Sequence, residues 1–115
     1  ASRLTAFDVQ ADGSLVNRRV WASVDGVPDG ICLDAEGSIW VASPPTNECL
    51  RLAEGGEVLE RVKVGQGAYA CMIGGKEMPL LFVLTSPSSS PEECRSLRGA
   101  QIETLQILVP GAGYP

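Results

Sequence analysis

Three landmarks recur along this chain at an interval of about 40 residues, and that period constrains the fold more than any other feature. Gly13-Ser14-Leu15-Val16-Asn17-Arg18-Arg19-Val20 matches Gly56-Glu57-Val58-Leu59-Glu60-Arg61-Val62-Lys63. Gly30-Ile31-Cys32-Leu33 matches Ala70-Cys71-Met72-Ile73, and Trp40-Val41-Ala42-Ser43 matches Leu81 to Leu84 or Phe82 to Thr85. A period of about 40–45 residues, each holding four short strands, is the mark of propeller blades. Thirteen Gly and eight Pro in 115 residues favour short strands over long helices.

The strand signals fill that period. Arg3 to Val9 and Leu15 to Val24 form a hairpin about Ala11-Asp12-Gly13-Ser14, whose Asp-Gly supplies the positive φ of a tight connection. Ile31-Cys32-Leu33 and Ser38 to Ala42 flank Asp34-Ala35-Glu36-Gly37; Glu48 to Leu52 and Val58 to Val64 turn at Glu54-Gly55-Gly56. Tyr69 to Ile73, Leu80 to Thr85 and Gln101 to Val109 complete nine strands, with Glu92 to Leu97 as one helical turn. The Ser86 to Ser90 stretch, with Pro87 and Pro91, reads as a loop.

The reading is therefore all-β, a single unit over residues 1–115. About 1–27 holds two outer strands, 28–64 a complete blade, and 65–115 an incomplete blade and a tail. About two and a half blades cannot close a propeller, which needs at least about four. Such a piece has open sheet edges and half-bare faces, so it calls for a partner. That partner is either N-terminal blades outside this sequence or a second copy, making a homo-oligomer.

Charge and apolar patterning exclude some function classes. A net charge of −5, with Arg18-Arg19 the only adjacent basic pair, argues against nucleic acid as a partner. The longest apolar run, Met78 to Leu84, is too short to span a membrane. The start, Ala1-Ser2-Arg3, has no charged-then-apolar leader, so no targeting signal is expected. Cys32, Cys49, Cys71 and Cys94 lack C-x-x-C spacing and the chain has no His, which removes the usual mixed zinc sites. The expectation is structural free thiols, Cys32 and Cys71 acting as small buried hydrophobes, in a cytoplasmic, reducing setting.

The candidate site residue is Asp29, in Val27-Pro28-Asp29-Gly30. Pro28 sets one turn dihedral and Gly30 frees the next, presenting the carboxylate at a strand's entrance. A carboxylate held there can bind a cation or move a proton. Asp34 and Glu36 read as a solvated hairpin turn. Asn17 falls in an outer strand, while Asn47, in a loop with Pro44 and Pro45, is an oxygen donor that could line a channel mouth. Trp21 and Trp40 read as packing between sheets. Gly74-Gly75-Lys76 is a turn, since the G-x-x-x-x-G-K-[ST] spacing of a phosphate loop is missing.

Three segments, AFDVQADGSLVNRRVWASV, PDGICLDAEGSIWVAS and AYACMIGGKEMPLLFVLTS, resemble the C-terminal part of the senescence-marker protein/gluconolactonase/luciferin-regenerating enzyme family, which includes regucalcin. Order and spacing agree over nearly the whole chain, and the tail PGAGYP resembles a family C-terminus. The resemblance implies part of a six-bladed β-propeller with a divalent cation, calcium or zinc, in its channel. It also implies hydrolysis of a small lactone. By resemblance Asp29 is both a metal ligand and a candidate catalytic base. The family's Glu and Asn ligands, and its substrate-contacting Arg and second Asn, would lie before Ala1. A cation polarises a carbonyl and acidifies bound water, and a neighbouring carboxylate takes the proton. The competing expectation is a non-catalytic structural or interaction module that self-associates through its sheet edges.

Overall fold

The computed structural model describes residues 2–75 and 77–113. Lys76, the last residue of the expected Gly74-Gly75-Lys76 turn, and the end of the expected tail lie outside the described residues. Among the described residues nine strands are present: β1 Arg3–Val9, β2 Leu15–Ser23, β3 Ile31–Leu33, β4 Ile39–Ser43, β5 Glu48–Leu52, β6 Val58–Lys63, β7 Gly67–Gly74, β8 Leu80–Ser86 and β9 Gln101–Gln106. They form three antiparallel meanders, ordered β1-β2, β3-β4-β5-β6 and β7-β8-β9. The strand count and grouping follow the repeat. The expected single turn at Glu92 to Leu97 is instead a helix, α1 Pro91–Leu97, started by a proline at its first turn and closed by Arg98 at φ 46°.

The four-stranded sheet is the middle layer, and its central strands have no solvent face. Four of the five β4 residues and all five of β5 are buried. Alternation sends successive side chains to opposite neighbours. Val41, Leu50 and Leu52 pack with Leu4, Ala22 and Val24 of the β1-β2 hairpin and its continuation. Trp40, Ala42 and Cys49 pack with Ala68, Cys71, Ile73, Leu81, Val83 and Ile107 on the other side. Burial on both faces explains why Ile-Trp-Val-Ala reads as one continuous apolar run. Trp21 is half-buried against the first cluster. The indole N–H of Trp40 has no partner among the described residues, so apolar packing alone holds that ring.

The Asp34-Ala35-Glu36-Gly37 turn corrects the expectation of a solvated pair. Asp34 is 1% exposed. Its Oδ1 accepts from the amides of Glu36 (2.9 Å) and Ser38 (3.0 Å), and its Oδ2 accepts from Arg51 Nε (2.7 Å). Arg51 also donates to the exposed Glu36 (2.7 Å) and to Glu60 (3.2 Å). Burial works against the guanidinium charge, yet the bonds to Asp34 and Glu36 outweigh it and hold the group above its ordinary value. The physical reason for the correction is a cation delivered across the sheet by β5. Residues 110–112 lie beside the same turn: Ala35 N–H donates to Pro110 O and Ala112 N–H to Leu33 O.

Gly30 also departs from its expected role, because it does not take a positive φ. A Cβ at that position would lie 2.6 Å from Ala70 Cα and 2.9 Å from Tyr69 O. The glycine is required because two sheets meet backbone to backbone there. Gly30 N–H donates to Tyr69 O (2.9 Å), stitching the entrance of β3 to β7.

Two outcomes follow for stability. Arg51→Met is expected to cost about 3–5 kcal/mol in chemical unfolding, because it strands a buried carboxylate. The double variant Asp34→Leu/Arg51→Met is expected to recover much of that loss; equal losses would mean that pairing is not the cause. Gly30→Ala is expected to cost about 1–3 kcal/mol by forcing the sheets apart, and a midpoint unchanged from the parent would refute the close-approach role.

Candidate functional site

Asp29 sits in the short connection between β2 and β3, and its side chain is exposed. Its backbone is fixed from two directions. Asp29 N–H donates to Ala42 O (3.0 Å), Ala42 N–H returns a bond to Gly30 O (2.9 Å), and Gly30 N–H reaches across to Tyr69 O. Pro28 precedes it, so the carboxylate is set by a proline, a paired backbone and a neighbouring sheet. Such a position differs from an ordinary surface turn, whose backbone is tied only to itself.

Asp29 lines an open cleft of about 460 Å³, together with Val27, Pro44, Pro45, Tyr69 and Ser89. The two prolines belong to a 3-10 turn, Pro44–Thr46, that follows β4. Asn47 ends that turn at φ 52°, and its amide bonds Pro44 O (3.3 Å). It is absent from the cleft lining, so the loop expected at a channel mouth reaches the cleft through its prolines instead. Asn17 is far from this place in the fold: it takes φ 51° in β2, beside a register shift, and donates to Asp8 Oδ2 (2.9 Å).

Sequence reasoning missed Tyr69 and Ser89. Tyr69 stands one repeat after Asp29, at the same point of its own sheet, and that correspondence was the available signal. Ser89 comes from the loop between β8 and α1. Serine contacts hold this loop, Ser86 Oγ–H donating to Ser88 O (2.7 Å) and Ser90 N–H to Ser88 Oγ (3.0 Å).

A hard cation such as calcium takes about 6–8 oxygen ligands. Among the described residues no group of three His, Cys, Asp or Glu side chains is placed to hold a metal. Asp34, the carboxylate nearest in sequence, is consumed by Arg51 and two backbone amides. Glu48 is buried and paired with Arg61 and Lys63, each at 3.1 Å. Burial raises its proton affinity, but Lys63, Thr46 and Arg61 together hold it below the usual carboxylate range. The described residues therefore do not by themselves fit a cation; they offer one carboxylate in a shaped cleft. No described helix is long and apolar enough to cross a membrane.

Residues 1–87 match the family model described as the SMP-30/Gluconolactonase/LRE-like region. Regucalcin of Danio rerio is 34% identical over 85 residues, covering 70% of this chain and 28% of the relative. Regucalcin of Gallus gallus is 30% identical over 92 residues, covering 76% of this chain and 30% of the relative. A solved luciferin-regenerating enzyme superposes with a TM-score of 0.78 at 24% identity, over 96% of this chain and 40% of that one. The chain thus spans less than a third of the length of these regucalcins, and its three sheets share the fold of the enzyme structure. With three quarters of its residues inside the family model, the chain belongs to the SMP-30/gluconolactonase/luciferin-regenerating enzyme-like family.

Proposed function

We propose that this chain is part of a lactonase-type hydrolase, in which Asp29 is the residue retained for the chemistry. The supporting observation is the doubly anchored Asp29 on the rim of a cleft that Tyr69 shares. There the carboxylate can take the proton from a water that attacks a lactone carbonyl. The ring C–O bond then breaks and the alkoxide leaves with a proton from solvent. A divalent cation, calcium or zinc, belongs to the family expectation, and Asp29 would be one ligand among several drawn from outside this chain. The three sheets are read as about two and a half blades of a six-bladed propeller, and the free thiols accord with a cytoplasmic setting.

A chimera carrying this chain in place of the matching segment of the Danio rerio regucalcin tests the assignment. Lactone hydrolysis by the chimera is expected to fall about 10²–10⁴-fold in its Asp29→Ala variant. Equal turnover by both would remove Asp29 from the chemistry. Calorimetric titration of the chain alone with calcium or zinc is expected to show no micromolar binding. Tight binding abolished by Asp29→Ala would instead mean that this chain completes a ligand set unaided.

Self-association is proposed for the isolated chain. Phe7, Val9, Leu15 and Val20 on the β1-β2 hairpin, and Ile102 and Leu105 on β9, are exposed apolar side chains at the two flanks. Light scattering at micromolar concentration is expected to give a mass above one chain; a stable monomer would sink the proposal.

A further inference from the structure

Three of the four cysteines converge where the two larger sheets meet. Cys32 on β3 and Cys71 on β7 are strand residues from different sheets, and their sulfurs lie 3.9 Å apart. Cys49 on β5 is fully buried and approaches Cys71 from the middle sheet. All are free thiols. Their backbones are pinned by the same close approach that requires Gly30, and Cys71 Sγ–H also lies 3.6 Å from Gly30 O. A disulfide needs sulfurs at about 2.05 Å, so the Cys32 and Cys71 sulfurs, 3.9 Å apart, must approach by about 1.9 Å to bond.

The two thiols are not equivalent. Cys32 lines a cavity of about 360 Å³ with Ile31, Leu33, Met72, Ile73 and Gly111, and it is 8% exposed. A small neutral oxidant can reach it there. Cys71 stands behind it, facing Cys32 and Cys49. The Cys71 thiol, as donor to an ionised Cys32, is the main cause holding Cys32 below the ordinary thiol value. Contact with Cys32 and Cys49, and then burial, push Cys71 upward. Cys94, by contrast, is exposed on α1 and donates to Ser88 O (3.0 Å).

We propose that Cys32 and Cys71 are a redox-switchable pair that closes into an intersheet disulfide when hydrogen peroxide enters the cavity. Cys32 sulfur attacks one peroxide oxygen, the O–O bond breaks, and the departing hydroxide takes the proton lost from Cys32 to become water. The sulfenic acid so formed is attacked by Cys71 sulfur. Its S–O bond breaks as the S–S bond forms, and the hydroxide takes the Cys71 proton to give a second water. Two thiols supply the two electrons that reduce one peroxide to two waters. The link ties β3 to β7, the strands whose leading ends carry Asp29 and Tyr69, and it constrains the 39-residue separation between its cysteines in the unfolded chain.

The test uses the full chain with Cys94→Ser, which removes the exposed thiol. After treatment with hydrogen peroxide the protein is digested without reduction by trypsin and a glutamate-specific protease, which cuts at Glu36 and Glu48 and so separates Cys32 from Cys49. A peptide pair joining Cys32 to Cys71, lighter by two hydrogens and resolved by dithiothreitol, is the expected result. A rise in thermal midpoint that dithiothreitol reverses should accompany it. Cys49→Ala should keep the linked pair and Cys32→Ala should lose it. Linkage through Cys49, or two reduced thiols after peroxide has fully oxidised Cys94 in the parent chain, would overturn the proposal. The peptide map of the Cys94→Ser chain decides the matter even if a core cysteine variant fails to fold.

Discussion

Everything in this chain hangs on one intersheet contact, where the entrance of β3 lies directly against β7. A side chain at position 30 would strike Ala70 and the Tyr69 carbonyl, so only glycine lets the two backbones approach. From that approach follow the Gly30–Tyr69 hydrogen bond, the burial of Trp40 and Ala42 against Ala68 and Val83, and the placing of Asp29 beside Tyr69. Interiors are packed to crystal-like density, so a backbone approach of this kind locks the registers on both sides of it. The cleft that Asp29 lines is thus a by-product of the packing contact, formed where the two sheets part.

The buried Asp34–Arg51 pair is the second constraint, and it acts within one sheet. Asp34 shapes its own hairpin through the Glu36 and Ser38 amides, while Arg51 brings a charge from two strands away to neutralise it. Replacing such a pair with apolar groups is often neutral, whereas breaking it is costly. Its contribution is therefore better described as specifying the β3-β4 turn than as adding stability. The return of residues 110–112 to this turn shows the end of the chain using the same fixed geometry.

Strand number and sheet grouping were legible in the sequence, because a repeat of short strands and Asp-Gly or Glu-Gly turns is a local signal. The family was legible for a related reason: PDGICLDAEGSIWVAS compresses two strands and both their turns into one stretch. What was not legible depends on distant partners. The burial of Asp34 needs Arg51, the non-left-handed Gly30 needs Ala70, and the cleft around Asp29 needs Tyr69 and Ser89. In each case the deciding neighbour arrives from another strand, another sheet or, for Ser89, a distant loop, where propensity and turn chemistry carry no information. Turn chemistry singled out Asp29 as a candidate, though the reason for its fixed position lies in the sheet beside it.

The central strands β4 and β5 are covered on both faces and the β1-β2 hairpin on only one, and this asymmetry sets an order of local opening. Amides of β4 and β5 are shielded by two apolar layers, so their hydrogen exchange must wait for the largest cooperative unit to come apart. The β1-β2 ribbon can swing away by giving up the contacts of Leu4, Trp21, Ala22 and Val24 and the backbone bond from Gly55 N–H to Trp21 O. The structure is accordingly graded from a slow-exchanging centre to a fast-exchanging ribbon, and β3, an edge strand three residues long with Ile31 and Leu33 about half exposed, lies outside the slow part.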